Sequence, residues 1–478
     1  MRRKLAGFIF VASSFLAAQN AMAADMPTKM PVKAAPMAAA TPWTGFYVNG
    51  GFGYGIWNDD EALVVTASGA CIVCVTQVQG GKGWLGTIGA GYDYQFTSKI
   101  VAGIFADASL SSLKGQLQDR ATQTSGEIKQ TSSWAAGARV GWLVTPKTLS
   151  YWNGGFTSAR FSGTDQLFTS TGISSGISTG SSTANGWFLG GGVETSLAPG
   201  WFWKTEYRYA YYPTKTYDES FAGGIPLGRS ITFKPTVQTV TTQVVYKFNG
   251  GLPAPVYPAM PVMATNWTGF YANAGAGYGV WAANSTENFP AGSPTCVVCT
   301  TQVQGGKGYL GRVGAGYDWQ FAPVWVAGGF GDFDISSLKG TLQDLAAPGS
   351  GDIKQTSAWA AGARLGWLPS PQTMTYVNGG YTAARFSGVT MGSLITGVPN
   401  GTTTPSFTTS GWFVGGGVET TFDFFGMLGK GWFWRNEYRY SSYSNKTLTE
   451  VFGGAPFADI AFKPVVQTVT SSIVFKLN

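Results

Sequence analysis

The sequence predicts an all-β fold: a transmembrane antiparallel β-barrel, built as two tandem eight-stranded barrels or, alternatively, as one sixteen-stranded barrel. Three observations carry this. Segments of more than ten residues alternate between an aromatic face and a polar face, a period of two that belongs to strands. The connections alternate between tight turns and long Ser/Thr/Gly-rich loops, as in barrels with short turns on one membrane side and long loops on the other. The whole pattern occurs twice. Trp43-Thr44-Gly45-Phe46-Tyr47 returns as Trp267-Thr268-Gly269-Phe270-Tyr271, and Glu206-Tyr207-Arg208-Tyr209 as Glu437-Tyr438-Arg439-Tyr440. The period of about 225 residues far exceeds the roughly 20–50 of a solenoid repeat, so each copy is a domain.

The elements of the first copy follow in order. Segment 45–57 carries Gly51, Gly53 and Gly55 at a spacing of two, which fits a crowded barrel interior rather than a phosphate cradle. In 82–96 Trp84, Ile88, Tyr92, Tyr94 and Phe96 share one face, and Thr87, Asp93 and Gln95 share the other. Segments 100–113, 127–144 and 185–197 place Asp107, Arg139 and Glu194 inward, with 148–162 between them. In 201–214 Trp201, Trp203, Tyr207, Tyr209 and Tyr211 oppose Lys204, Glu206 and Arg208. A soluble sandwich would have to bury that aromatic row; a membrane barrel turns it to lipid and its charges inward. Segment 230–248 closes the copy. Eight matching segments lie in 269–478. Their inward charges are Arg312, Asp318, Asp332, Arg364, Glu419, Arg435, Glu437 and Arg439. Charges in such a lumen must pair, and the two signs nearly cancel in the first copy, three cations to four anions, and balance in the second, four of each, which points to salt-bridged packing rather than an ion-selective lining.

Residues 1–23 read as a secretory signal: Arg2, Arg3 and Lys4, then an apolar stretch, then Ala21-Met22-Ala23. Its removal lowers the net charge from +7 by its three cations, to +4. A Pro/Ala-rich spacer (24–42) precedes the first barrel (43–248), and a Pro-rich linker (249–266) precedes the second (267–478). No later run of about 18 apolar residues exists for a transmembrane helix. The eighteen linker residues can reach about 50 Å when extended. One large barrel would need only a turn there, so the linker favours two barrels and the joining of two complete copies.

Histidine is absent, which removes Ser-His-Asp and Cys-His pairs and HExxH zinc sites. The chain is expected to be no enzyme, with no cofactor and no metal set. No Lys/Arg cluster suggests nucleic acid. Cys71 and Cys74, and Cys296 and Cys299, sit at matching places in the first long loop. Export favours a local disulfide in each; zinc shared by all four would have to bridge two domains. The loop Ser162 to Ala184 reads as mobile, either a solvated variable surface or an adhesive one. A longer turn before Trp432 carries Phe422, Phe424, Phe425, Met427 and Leu428, able to meet the leaflet edge or the neighbouring barrel.

The chain resembles the outer-membrane immunogenic protein family of alphaproteobacteria, porin-like eight-stranded barrels. The matching stretches are Trp43 to Tyr47, Trp134 through Arg139-Val140-Gly141, Gly186-Trp187 through Gly192-Val193-Glu194, Glu206 to Tyr209, and Val244-Val245-Tyr246-Lys247-Phe248. The duplication departs from that family's pattern. The resemblance implies a Gram-negative outer membrane, with its lipid, lipopolysaccharide and assembly machinery as partners. It also implies a structural role in envelope integrity and surface display. A porin-like channel for small solutes and adhesion through the loops are the alternatives.

Overall fold

In the computed structural model the described residues are 43–60, 63–248, 265–344, 349–421 and 431–477. The signal, the spacer, nearly all of the linker and the turn residues Phe422 to Leu428 lie outside them. In the first copy eight strands pair antiparallel with their neighbours: Gly45–Asp59, Gln79–Gln95, Ile100–Asp119, Thr124–Thr145, Thr148–Phe161, Ser182–Ala198, Trp201–Tyr211 and Pro235–Lys247. The first also pairs with the last, Val48 opposite Tyr246, so the ladder closes within the copy. The second copy closes the same way, Gly269–Asn288 against Ala455–Leu477 with Ala272 opposite Phe475. Closure leaves no unpaired edge among these sixteen strands, which a membrane requires of backbone amides.

The outward face is graded. Phe46, Tyr94, Phe96, Trp142 and Trp201 ring the turn end, and Trp84, Trp134 and Trp187 ring the other. Val48, Ile88, Ile104, Val140 and Leu189 are exposed between them. Trp84 and Phe96 are twelve residues apart on one tilted strand, a height of roughly 30 Å. That matches a hydrocarbon band bounded by aromatic girdles.

Two expectations are corrected. The 162–184 connection, read as mobile, contains the paired strands Thr164–Phe168 and Ser174–Thr179, and the second also bonds to Lys215–Phe221. Its apolar positions are few, but Ile177 is buried against the strands above the barrel. Segment 230–248 is not one strand. The Lys234 amide donates to Asp59 Oδ1 at 2.7 Å instead of to a ladder carbonyl, and the ring strand starts at Pro235. In the second copy Ala283 stands where Asp59 does, and the strand runs unbroken through Pro464.

Glycine sets the interior's capacity. A Cβ on Gly81 would overlap the indole of Trp57, which is wholly buried with Nε1 donating to Leu113 O at 3.1 Å. Gly81→Val is expected to lower stability by about 1–3 kcal/mol through overpacking. The midpoint of urea unfolding in lipid checks this, and Gly306→Val, against Trp281, should act alike in the second barrel.

The two barrels touch through a pseudo-twofold contact. Tyr54 meets Tyr440 and its counterpart Tyr278 meets Tyr209, ring centroids 5.4 and 6.3 Å apart. Gln77 Nε2 donates to Ser350 Oγ at 2.9 Å, and its counterpart Gln302 Nε2 to Ser125 Oγ at 3.0 Å. Gln79 and Gln304 pair on the axis. Ile56, Val280, Ala282, Val303 and Val465 bury an apolar patch beside it. The symmetry breaks at Lys307, which pairs with Asp60 at 2.5 Å; the mate of Asp60 is Asn284.

Candidate functional site

The lumen of each barrel is layered. At the turn end Trp43, Val101, Leu143, Leu149, Phe202 and Val245 close the first barrel, and Trp43 Nε1 donates to Pro146 O at 3.0 Å. At the outer end Trp57, Leu113, Phe161, Tyr212 and Phe233 form a second apolar plug. The ionic residues lie between. Period two puts them there: each shares a face with these plug residues and alternates with the lipid-facing aromatics.

In the first barrel Arg139 is the hub. Its Nε and Nη2 form a bidentate bond to Asp93, 2.9 and 2.5 Å, and Nη1 reaches Glu194 Oε2 at 2.8 Å. The guanidinium lies over the Tyr47 and Tyr151 rings at 4.7 and 5.0 Å. A second set continues outward. Lys204 pairs with Glu206 at 3.2 Å, and Arg208 with Glu206 at 2.7 Å and Asp107 at 2.8 Å. Tyr151 Oη and Asn153 Nδ2 also donate to Glu206.

All fifteen charges expected inward from the sequence lie in these sets and their second-barrel counterparts, where Arg364 pairs with Asp318 and Glu419, Arg435 with Glu419, Arg439 with Asp332 and Glu437, and Arg312 with Glu437. The sequence reading missed three others. Lys247 pairs with Asp93 at 2.5 Å and Glu194 at 3.1 Å. Lys476 stands likewise beside Asp318 at 2.6 Å. Asp334 binds Arg312 through both oxygens at 2.7 and 2.8 Å. Alternation on the closing strand could have found Lys247, since Val245 and Lys247 share a face opposite Val244 and Tyr246. With these added, the first lumen holds four cations (Arg139, Lys204, Arg208, Lys247) and four anions (Asp93, Asp107, Glu194, Glu206). The second holds Arg312, Arg364, Arg435, Arg439 and Lys476 against Asp318, Asp332, Asp334, Glu419 and Glu437. The near-cancellation read from sequence in the first copy becomes full balance, and the balance of the second is kept at five of each sign.

One layer differs in charge between the copies. Arg312 and Asp334 of the second stand where the first has Thr87 and Ser109. A cavity of about 40 Å³ lies beside Thr87, Ser109, Asp107 and Arg208. The corresponding space beside Arg312, Asp332 and Glu437 is about 10 Å³. These hold a few waters and one at most, since a water needs roughly 10–15 Å³. Such a lumen can neutralise and rigidify.

Cys71 is bonded to Cys74 and Cys296 to Cys299. Cys71 opens the short strand Cys71–Val73, and Cys296 and Cys299 lie at the start of the strand Cys296–Ala322, beyond the ring; the Cys74 amide donates to Leu394 O in the other copy at 3.0 Å.

Residues 8–248, half of the chain, match the family described as outer membrane protein beta-barrel domain. The 31 kDa outer-membrane immunogenic protein of Brucella melitensis biotype 1 is 29% identical over 200 residues, which is 40% of this chain and 81% of that protein. Among solved structures, Neisserial surface protein A aligns at 17% identity and TM-score 0.25, over 43% of this chain and 98% of that one. A Pseudomonas aeruginosa FadL homologue aligns at 9% identity and TM-score 0.28, over 91% of each chain. A closed ladder, a lipid-facing aromatic surface and the family match lead to one conclusion: the chain belongs to the outer membrane protein β-barrel domain family and resides in the outer membrane.

Proposed function

We propose that this protein is a structural element of the envelope, two plugged barrels that anchor and display a shared outer surface. The observation that carries this reading is the balanced, buried ion network between two apolar plugs. A selective channel is usually lined by an excess of one sign and keeps water along its length. Here every network charge has a partner of opposite sign, and the two lumen cavities described above have room for no more than a few waters. The paired loop strands and the two disulfides support display, because they hold the outer surface in shape. Lipid and lipopolysaccharide are the natural partners of the girdled exterior, and the outer-membrane assembly machinery inserts the strands.

Full-length protein reconstituted in a planar bilayer is expected to give no stable conductance steps above the lipid baseline. Large, uniform steps at neutral pH would instead make it a channel for small solutes.

A further inference from the structure

The outer extensions of the two barrels resolve the same electrostatic problem differently. In the first, Arg229 bridges two buried carboxylates, Asp119 at 2.6 Å and Glu219 at 2.8 Å. In the second, the counterparts of Asp119 and Glu219 are Asp344 and Glu450, and the counterpart of Arg229 is Ala458, itself buried. A third carboxylate, Glu287, joins them. Glu287, Asp344 and Glu450 are at most 2% exposed, and their carboxylate oxygens lie within 4.8 Å of one another. Glu450 is wholly buried, and neither of its oxygens accepts a hydrogen bond. It points into the place where the first copy holds a guanidinium.

We propose that Glu287, Asp344 and Glu450 bind one divalent cation of the calcium or magnesium class, in the place that Arg229 fills in the first copy. Three carboxylates and no sulfur or imidazole make a hard, oxygen-only donor set, which suits these ions over zinc or copper. Arg120 of the first copy lies beside the cluster, its Nη2 donating to the Asp344 backbone carbonyl at 2.6 Å. Asp459 adds a further negative charge beside Glu450, its oxygens taken by Thr449 Oγ1 and the Gly292 amide, each at 2.7 Å. Glu450 lies on strand Lys446–Phe452, outside the eight-strand ring, and Glu287 and Asp344 lie at the adjoining ends of the ring strands Gly269–Asn288 and Trp325–Asp344.

The test uses full-length protein in detergent, stripped with EDTA and titrated calorimetrically with Ca²⁺ and separately with Mg²⁺. Saturable binding of one ion per chain is expected, with a rise of several degrees in the thermal midpoint at saturation. Glu450→Gln should weaken binding at least tenfold. Ala458→Arg should also abolish it, while raising the midpoint in EDTA above that of the stripped wild type, because the new guanidinium replaces the ion. No saturable binding of either ion by the wild type overturns the proposal. So does binding that neither substitution changes, whether or not the variants are equally stable.

Discussion

Arg139→Met is expected to destabilise the first barrel by about 3–5 kcal/mol, the range for a buried ion pair that loses one partner. The guanidinium makes three charge-assisted bonds to Asp93 and Glu194, and both carboxylates are inaccessible to water. After the substitution Lys247 alone faces them, and one negative charge stays buried without compensation. The equivalent Arg364→Met should cost less. Arg435 donates to Glu419 at 2.9 Å, where its first-copy counterpart Lys204 turns to Glu206. Lys476 and Arg435 then still face Asp318 and Glu419, two charges against two. Urea titration in lipid vesicles, followed by the mass of the protease-protected barrel, separates the two barrels. Adding Asp93→Asn and Glu194→Gln to Arg139→Met should recover most of the loss. By contrast Lys129→Ala, which removes an exposed pair with Glu127, should change stability by less than about 1 kcal/mol.

The second large effect concerns the layer in which the copies differ. Thr87→Arg and Ser109→Asp transplant the Arg312–Asp334 pair into the first barrel. Each alone upsets a balanced lumen and should cost roughly 2–4 kcal/mol. Together they should cost less than their sum by about 2–3 kcal/mol, since the pair forms and fills the cavity. A double-mutant cycle on unfolding free energy measures that coupling. Strict additivity would mean that the two side chains do not meet.

The barrel was legible in the sequence because its signals are local. Alternation along Lys82 to Phe96 and Trp201 to Tyr211 fixes which side chains face lipid, and the same alternation places Arg139 or Glu206 inside. What escaped depends on contacts distant in sequence. Lys247 lies in Val244-Val245-Tyr246-Lys247-Phe248, a stretch whose apolar character hides its one inward charge. The break at Lys234 comes from Asp59, about 175 residues earlier. The strands within 162–184 exist through pairing with residues such as Glu219 to Phe221, and nothing in a Ser/Thr/Gly-rich run announces such a partner. The acidic cluster is assembled from residues 287, 344 and 450, none of which forms a motif with its sequence neighbours.

The pseudo-twofold contact has a consequence for assembly. A patch that matches itself is normally satisfied by a second molecule of the same kind. Here the second molecule is already covalently attached, so self-recognition is consumed inside one polypeptide and leaves nothing of that patch to recruit another. Each half is also released from having to suit an identical twin. Asp60 and Lys307 record that freedom, a complementary pair that two identical subunits would have had to encode on both sides.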